Sequence, residues 1–261
     1  MVSGRRLLVT GAASGIGRAV ALLAADRGAA SIGLVDRDPR GLAEVADAVG
    51  RRATRAVPVV ADLSTAEGPA EAVAAVLEAT GGLDTLVSNA GASGRGTMLD
   101  LTVDDWRLVF DLNVRATWLL AAAAYAALVD AQGSVVVTTS VSAHHPTPRT
   151  GAYSVSKAAA SMLVRQLALE WGPAGVRVNA VAPGPVATPM TWSSFGDPED
   201  PAARERRARR TAATPLRRLG EPEDVAEVVL FLAGPGAVHL TGVEVPVDGG
   251  LGTTLMPGSR E

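Results

Sequence analysis

The sequence predicts an α/β fold in which a doubly wound parallel sheet of about seven strands carries helices on both faces. Short apolar runs, each the length of a strand, alternate along the chain with longer helical patterns. Alternation of this kind is typical of parallel strands buried between two layers of helices. No internal repeat or low-complexity linker interrupts the order, and 261 residues suffice for one large core. We therefore expect residues 1–261 to form a single domain.

Composition excludes several classes of function. The formal net charge of -3 gives no reason to expect nucleic acid or an anionic membrane as a partner. The absence of cysteine excludes disulfides and thiolate metal sites, and we predict no metal site. Arg5 and Arg6 precede an apolar run too short for an export signal, and the run at 118–129 is too short to span a bilayer. We expect a soluble, cytoplasmic protein.

The apolar pattern predicts the elements in chain order. Strands are predicted at residues 7–9, 31–35, 56–60, 83–88, 134–139, 176–181 and 243–247. Helices are predicted at residues 17–27, 39–50, 64–79, 104–129, 151–173, 204–210 and 222–233. A polar, proline-rich stretch at 192–201 is predicted to interrupt this order.

A glycine turn follows the first strand. The strand ends at Gly11, and Gly15 and Gly17 come before the helical pattern is established. Glycines between a strand and a helix let the backbone approach a diphosphate at the helix N-terminus. The spacing Gly-x-x-x-Gly-x-Gly departs from the dinucleotide-binding pattern Gly-x-Gly-x-x-Gly, so an ordinary tight turn is the alternative.

An acidic residue ends the second strand. Asp36 lies nineteen residues after Gly17, where a carboxylate can accept hydrogen bonds from the hydroxyls of an adenosine ribose. The same carboxylate would repel a 2′-phosphate, so it favours NAD(H) over NADP(H). Arg37 follows directly and is able to pair with such a phosphate, which keeps NADP(H) open as an alternative.

Polar or small residues also follow the third and fourth strands. Asp62 and Leu63 are placed to hold an adenine amino group; alternatively, Asp62 starts a turn and Ser64 caps the next helix. The fourth strand runs into residues 89–91, Asn-Ala-Gly, whose small side chains allow a ligand to approach closely. Within the long helix that follows, Asn113 is either tolerated on the surface or hydrogen-bonded inside.

The stretch from Tyr153 to Lys157 contains an unusual pair. Lys157 is the only lysine among 24 basic residues, and Tyr153 is one of two tyrosines, the other being Tyr125. An ammonium is compact and can shift its pKa, whereas a guanidinium is broad and permanently charged. Four residues apart on a helix, the two side chains share a face, so we predict that Lys157 lowers the pKa of Tyr153 toward neutrality. Tyr153 is then a general acid/base; the alternative is a surface tyrosine beside a solvated lysine.

These motifs together resemble the short-chain dehydrogenase/reductase family over essentially the whole chain. Residues 10–17, Thr-Gly-Ala-Ala-Ser-Gly-Ile-Gly, look like the glycine motif of that family, which accounts for the spacing. Residues 89–91 match its Asn-Ala-Gly turn, although Ser88 stands where the family usually has another asparagine. Tyr153 and Lys157 match its Tyr-x-x-x-Lys pair. The resemblance implies a Rossmann-type fold and a homotetramer.

The resemblance also implies a catalytic tetrad. Tyr153 would exchange a proton with the substrate oxygen as hydride moves to or from nicotinamide. Lys157 would lower the pKa of Tyr153 and bind the nicotinamide ribose, and Ser140 would orient the substrate oxygen. Asn113 would hold a water that relays protons from Lys157 to solvent.

Further site residues complete the prediction. The residues that we assign to the cofactor are Gly11, Ser14, Gly15, Ile16, Gly17, Asp36, Arg37, Asp62, Leu63, Asn89, Ala90, Gly91, Tyr153, Lys157, Pro183, Gly184, Val186 and Thr188. Substrate contacts are predicted at Ser142, His145, Met190 and Trp192. Residues at about 188–214 are expected to form a lid, in which the arginines at 204–210 are either a solvated helix face or a contact for phosphate or an acyl carrier.

The predicted function is hydride transfer between NAD(H) and a secondary alcohol or ketone, with Tyr153 as general acid/base. An NADPH-dependent 3-oxoacyl-carrier-protein reductase is the alternative within the family, and Asp36 argues against it. A non-catalytic NAD-sensing protein is the alternative from a different class. Such a protein need not keep a matched tyrosine, lysine, serine and asparagine, and this chain has all four.

Overall fold

A computed structural model describes residues 2–196 and 199–254. Its seven strands form one sheet in which each neighbouring pair is parallel, in the order β3-β2-β1-β4-β5-β6-β7. The strands are β1 (Arg6–Thr10), β2 (Ser31–Asp36), β3 (Arg55–Val60), β4 (Thr85–Ser88), β5 (Ser134–Thr138), β6 (Arg177–Pro183) and β7 (Glu244–Val247). The predicted doubly wound α/β fold is confirmed.

Helices cover both faces of this sheet. The helices within the described residues are α1 (Gly15–Asp26), α2 (Pro39–Gly50), α3 (Gly68–Thr80), α4 (Val103–Phe110), α5 (Ala116–Asp130), α6 (Tyr153–Trp171), α7 (Pro189–Phe195), α8 (Pro201–Ala213) and α9 (Pro222–Ala233). On one face Val20 of α1, Leu42 of α2 and Val229 of α9 enter a common core. On the other face, Leu120 of α5 and Val164 of α6 belong to a second core.

The strand order reverses at β1, which lies between β2 and β4. Connections from β1 and β4 leave the sheet toward opposite faces at this point, so a crevice opens beyond the carboxyl ends of the strands. Several residues predicted to bind a cofactor follow β1, β2 and β4 directly. The topology therefore collects them at one edge of the sheet.

Three local predictions need correction. Ser64 does not cap α3, which begins at Gly68 after Glu67; instead, the Asp62 carboxylate accepts hydrogen bonds from the Ser64 amide and hydroxyl, at 2.8 and 2.6 Å. The stretch at 192–201 is not wholly irregular, because α7 extends to Phe195. The helix predicted at 104–129 runs from Val103 to Asp130 but contains a π-helical turn at Asp111–Arg115.

Helix α8 extends beyond the predicted arginine run. Its one fully buried residue among those described is Ala203, and the arginines at 204, 206, 209 and 210 are exposed. Arg209 and Glu205 form an ion pair one turn apart on this surface. These contacts favour the solvated helix face over a dedicated phosphate contact.

The continuous helical segment Val103–Asp130 is, by length and composition, sufficient to cross a membrane. The same segment packs in the fold, because Leu120, Ala121 and Leu128 are fully buried in the core beside the sheet. A core helix of an α/β protein meets the same criteria of length and apolarity.

Candidate active site

A cavity of about 610 Å³ lies at the carboxyl ends of the strands. Asp36 and Asp62, which follow β2 and β3, line one end of it, and Ser140 and Tyr153 line it beyond β5. Every predicted cofactor residue except Gly17 lines this cavity. A cleft with this lining fits an extended dinucleotide better than a compact ligand, because polar groups are spread along its whole length.

The glycine turn between β1 and α1 is held by close backbone contacts. Gly11 has a φ of +66°, and a Cβ there would lie 2.9 Å from Asn89 Nδ2. Gly17 faces away from the cavity, and a Cβ on it would lie 2.2 Å from the carbonyl oxygen of Gly11. The turn therefore brings the start of α1 against β1 only when both residues lack a side chain.

The N-terminus of α1 is open to the cavity. Ser14 is the N-cap in an extended conformation and makes no side-chain capping bond, and the first turn contains no acidic residue. The first amides of a helix have no intrahelical acceptor, and the helix dipole favours an anion beside them. The residues present fit a diphosphate at this point.

The carboxylate of Asp36 is fixed at the end of β2. Its Oδ2 accepts from the Ala13 amide at 3.0 Å, and its Oδ1 accepts from the Asp38 amide at 3.1 Å. Arg37 also lines the cavity. The Ser64 hydroxyl and amide hydrogen bonds hold the pKa of Asp62 below its usual value, and Arg37 adds to this effect. This end of the cavity thus carries two carboxylates and one guanidinium.

Asn89 ties three strands together. Its amide donates to Thr10 Oγ1 at 2.9 Å, and its Nδ2 donates to the Thr10 carbonyl at 3.1 Å. Its Oδ1 accepts from the Thr138 hydroxyl at 3.1 Å. The ends of β1, β4 and β5 are therefore locked at the floor of the cavity.

Asn113 is buried and hydrogen-bonded, which decides between the two interpretations of this residue. Its Oδ1 accepts from the Ala92 amide at 2.9 Å, and its Nδ2 donates to the Ala92 carbonyl at 3.0 Å and to Ser156 Oγ at 2.9 Å. It lies in the π-helical turn, a local geometry that frequently marks functional sites. Asn113 does not line the cavity but supports its wall, since a Cβ on Gly91 would lie 2.7 Å from Asn113 Oδ1.

Lys157 is buried one turn into α6, with 5% of its surface exposed. Its Nζ donates to the Thr138 carbonyl at 2.8 Å and lies 5.7 Å from the centroid of the Tyr153 ring. Burial lowers the pKa of Lys157 to about 8, against an opposing attraction from Glu244. The surface-pair alternative is wrong for this lysine.

Tyr153 is the first residue of α6, and its phenol faces the cavity. Burial raises the pKa of Tyr153, and a hydrogen bond with the Ser140 hydroxyl opposes this shift. The prediction that the pKa of Tyr153 is lowered is therefore wrong for the protein without bound ligand. The physical reason is that the cavity walls desolvate the phenolate. In addition, the ammonium of Lys157 is itself desolvated and bonded to a carbonyl.

Ser140 is buried at the end of β5 and caps a short 3₁₀ turn. Its Oγ accepts from the Ser142 amide at 3.1 Å, which fixes the hydroxyl beside Tyr153. The two oxygens that the prediction assigns to the substrate are thus adjacent at the same end of the cavity.

The segment after β6 closes the opposite wall. The Gly184 amide donates to the Val247 carbonyl at 3.0 Å, and a Cβ on Gly184 would lie 2.8 Å from Asp248 Cα. Thr188 caps α7 by accepting from the Thr191 amide, and its Cγ2 approaches Gly15. Pro183, Gly184, Val186 and Thr188 all line the cavity.

The structure places only one of the four predicted substrate residues in the described lining of the cavity. Met190 lines the cavity, whereas Ser142, His145 and Trp192 are absent from its described lining. The Ser142 hydroxyl is buried and shares a hydrogen bond of 2.8 Å with Thr147 Oγ1. Trp192 turns its ring to the guanidinium of Arg207, 5.2 Å away. Proximity in sequence to the site did not determine the direction of these side chains.

Some residues at the site were not identified from the sequence. Thr138 and Thr139 line the cavity, and their position at the end of a predicted strand was the available signal. Arg95, in the loop after Gly91, also lines it and carries no comparable signal. Glu244, on β7, is hydrogen-bonded to Thr139, and its signal was a lone charge within an apolar strand.

Comparison with known proteins agrees with this geometry. A family described as enoyl-(acyl carrier protein) reductase matches residues 11–252 of the chain. The oxidoreductase UcpA of Escherichia coli is 36% identical over 253 residues, which cover 95% of each chain. A short-chain type dehydrogenase/reductase of Mycobacterium marinum has a TM-score of 0.87 at 31% identity, over 96% of both chains.

A fourth comparison includes bound ligands. The structure of L-sorbose reductase from Gluconobacter frateurii, complexed with NADPH and L-sorbose, has a TM-score of 0.91 at 30% identity. The match covers 97% of this chain and 98% of that one. Sequence similarity over nearly the whole length accompanies the shared sheet and cavity, so the chain belongs to the short-chain dehydrogenase/reductase family of oxidoreductases.

Proposed function

We propose that the protein transfers hydride between NAD(H) and a secondary alcohol or ketone, with Tyr153 as the general acid/base. The observation that carries this proposal is the single cavity that joins Asp36 at one end to Tyr153 and Ser140 at the other. A dinucleotide spanning that cavity would have its ribose at Asp36 and its nicotinamide beside the phenol.

The preference for NAD(H) rests on Asp36. Its carboxylate is held by two backbone amides, so it cannot swing away from a 2′-phosphate without losing both bonds. Arg37 is the competing feature, because it could pair with that phosphate. The relative L-sorbose reductase binds NADPH, which keeps NADP(H) as the alternative cofactor.

The phenol of Tyr153 performs the proton transfer in this proposal. With its pKa raised by burial, Tyr153 is protonated at neutral pH and is ready to donate to a carbonyl oxygen. Ser140 donates a second hydrogen bond to the same oxygen and stabilises the charge that develops there. The bound nicotinamide supplies or accepts the hydride.

Lys157 and Asn113 support the phenol from behind. The ammonium of Lys157 stabilises the phenolate that forms after proton donation, because its positive charge lies 5.7 Å from the centre of the Tyr153 ring. Asn113 holds the loop at Ala92, which forms the cavity wall beside Lys157. The predicted relay of protons through a water at Asn113 is part of the same proposal.

Replacement of Tyr153 by phenylalanine tests the mechanism. Tyr153→Phe is expected to abolish turnover and to leave NADH binding, measured by fluorescence titration, within about twofold of the parent protein. Tyr125→Phe is the matched control, because that ring packs on Trp171 with centroids 4.8 Å apart and does not line the cavity. Turnover by Tyr153→Phe would rule out the assigned acid/base.

The substrate class that fits best is a small or medium hydroxy or keto compound. The lining of the cavity includes apolar Leu108, Leu112 and Met190 together with Arg95 and Ser93. The relative L-sorbose reductase acts on a ketose, which makes sugars a first group to assay. A panel of ketones, sugars and hydroxycycloalkanes, followed by NADH absorbance, would identify the class.

Assays of cofactor use and turnover distinguish two alternative functions from the proposed dehydrogenase. A 3-oxoacyl-carrier-protein reductase would use NADPH and turn over acyl-carrier substrates, and the family description as an enoyl reductase is the observation that keeps it under test. A non-catalytic NAD-sensing protein would bind NADH with no turnover across the panel. The proposed dehydrogenase consumes NADH with at least one ketone.

Assembly and a lid are further parts of the proposal. Helices α5 and α6 expose apolar side chains, with Trp118 half exposed and Met162 and Leu169 more so. We expect these faces to pack against a second copy of the chain in a cytoplasmic homotetramer, measurable by sedimentation equilibrium. The predicted lid at about 188–214 and the predicted single domain of residues 1–261 stay proposals, and residues 1, 197, 198 and 255–261 lie outside the described part of the chain. Within the described part, α7 lies beside the cavity, and we propose that it covers the substrate.

A further inference from the structure

Glu244 is a charged side chain within an otherwise apolar strand. It lies on β7, and only 8% of its side chain is exposed. Burial of a carboxylate is costly unless hydrogen bonds and an opposite charge compensate it. The catalytic roles proposed above make no use of this residue.

Three elements converge on the carboxylate of Glu244. The Thr139 hydroxyl, at the end of β5, hydrogen-bonds to Oε1. The Ser161 hydroxyl, on α6, donates to Oε2 at 2.9 Å. His144, in the turn after Ser140, hydrogen-bonds through Nε2 to the same oxygen, and 47% of its side chain is exposed.

Two of these three elements, the end of β5 and helix α6, also hold Lys157. Its ammonium donates to the carbonyl of Thr138, the residue before Thr139. Ser161 follows Lys157 by four residues, so both side chains lie on one face of α6. The carboxylate and the ammonium are therefore held on the same side of the junction between β5 and α6. Their attraction partly offsets the burial of the lysine.

We propose that Glu244 is a positioning residue of the active site, whose buried carboxylate is the counter-charge of Lys157 and holds the end of β5 against α6. This inference rests on the proposed role of Lys157. It makes the last strand of the sheet part of the proposed catalytic apparatus, although Glu244 does not itself line the cavity and contacts its lining only through Thr139 among the hydrogen bonds of the described residues. His144 connects the buried pair to solvent.

The consequence is electrostatic. Among the described residues, the titratable groups around Lys157 are Tyr153 on its own helix, Glu244 on β7 and, through Glu244, His144 in the turn after β5. Removing the negative charge leaves burial unopposed, so Lys157 would lose its proton at a lower pH. A residue that only packed β7 against α6 would leave this titration unchanged.

The experiment uses the fact that the chain has one lysine. Protein labelled with ¹³C-lysine gives a single Cε resonance, and its titration reports the pKa of Lys157 directly. In Glu244→Gln that pKa is expected to fall from about 8 by at least about half a pH unit. Glu244→Asp, which keeps the charge, should restore most of the difference. Glu170→Gln, an exposed glutamate on α6, is the matched control and should titrate like the parent.

A fall of less than about half a pH unit in folded Glu244→Gln, or a rise, overturns the proposal. If circular dichroism shows that this variant does not fold, Glu244→Met decides instead, because it also removes the charge and keeps a side chain of similar length. The Lys157 pKa should then fall by at least about half a pH unit, and a smaller change overturns the proposal. Absence of turnover in the parent protein would refute the proposed function but would leave this titration interpretable.

Discussion

Burial of the single lysine predicts an unusual dependence of stability on pH. The pKa of Lys157 is lowered from 10.5 to about 8 in the folded protein, because desolvation disfavours the ammonium. Between these values the unfolded chain binds a proton that the folded chain has released. Stability therefore rises with pH across this window, and the penalty is fully present below pH 8.

The magnitude follows from the shift. Lys157 is 5% exposed, so solvent screens it little, and the full difference in pKa corresponds to about 3.4 kcal/mol. Between about pH 7 and 10 the free energy of unfolding should increase by about 2.5 kcal/mol. Tyr153 opposes this, because its raised pKa keeps it protonated in the fold while the unfolded chain begins to ionise. A net rise of about 2 kcal/mol remains.

The composition makes this measurement clean. The chain has no cysteine and one lysine, so no thiol and no second lysine ammonium contributes to the change across this window. Urea unfolding followed by circular dichroism at fixed protein concentration, at several pH values, gives the free energy of unfolding. Lys157→Met is the control and should lack the rise. A rise of less than about 1 kcal/mol, or an equal rise in Lys157→Met, would refute the assigned burial and pKa.

Three further predictions concern the cofactor cleft and its wall. Asp36→Ala should raise the ratio of kcat/KM for NADPH to that for NADH by at least about tenfold, because the repulsion of a 2′-phosphate is removed; an unchanged ratio contradicts the role of Asp36. Asn113→Ala should destabilise by about 1 to 3 kcal/mol in urea unfolding, because the amide and carbonyl of Ala92 lose their partners; stability equal to the parent would contradict this. Gly17→Ala should destabilise by about 1 to 3 kcal/mol and weaken NADH binding, since its Cβ would lie 2.2 Å from a backbone oxygen. The matched control for Gly17→Ala is Gly50→Ala in α2, where a Cβ meets nothing within 4 Å and the change should instead stabilise by about 0.5 to 1 kcal/mol.

Much of the fold was predictable because it is encoded locally. The apolar runs predicted the positions of all seven strands, and α2 and α9 begin and end at the predicted residues. A parallel sheet buried on both faces requires such runs, and Pro39 and Pro222 mark helix starts because proline fits the first turn. Helix α7 was missed, because its polar residues resemble a loop until Thr188 caps it.

Part of the site was equally visible in the sequence. Single residues such as Asp36 and Lys157 are unusual for their position or their rarity, and the resemblance to a family added Ser140 and Asn113. The direction in which a side chain points could not be predicted from the sequence. Ser142 and His145 follow Ser140 closely but do not line the cavity, because the 3₁₀ turn after β5 directs Ser142 to Thr147 instead.

The sequence by itself determined the order of strands and helices, the glycine turn and the Tyr153–Lys157 pair, since each depends on residues near one another in the chain. Only the tertiary structure decided how deeply Tyr153 and Lys157 are buried, and therefore that the pKa of Tyr153 is raised by burial instead of being lowered by Lys157. It alone brought Glu244 beside α6 from a strand 87 residues beyond Lys157. Desolvation and charge pairing depend on the whole surroundings of a group, and those surroundings come from segments that are distant in sequence.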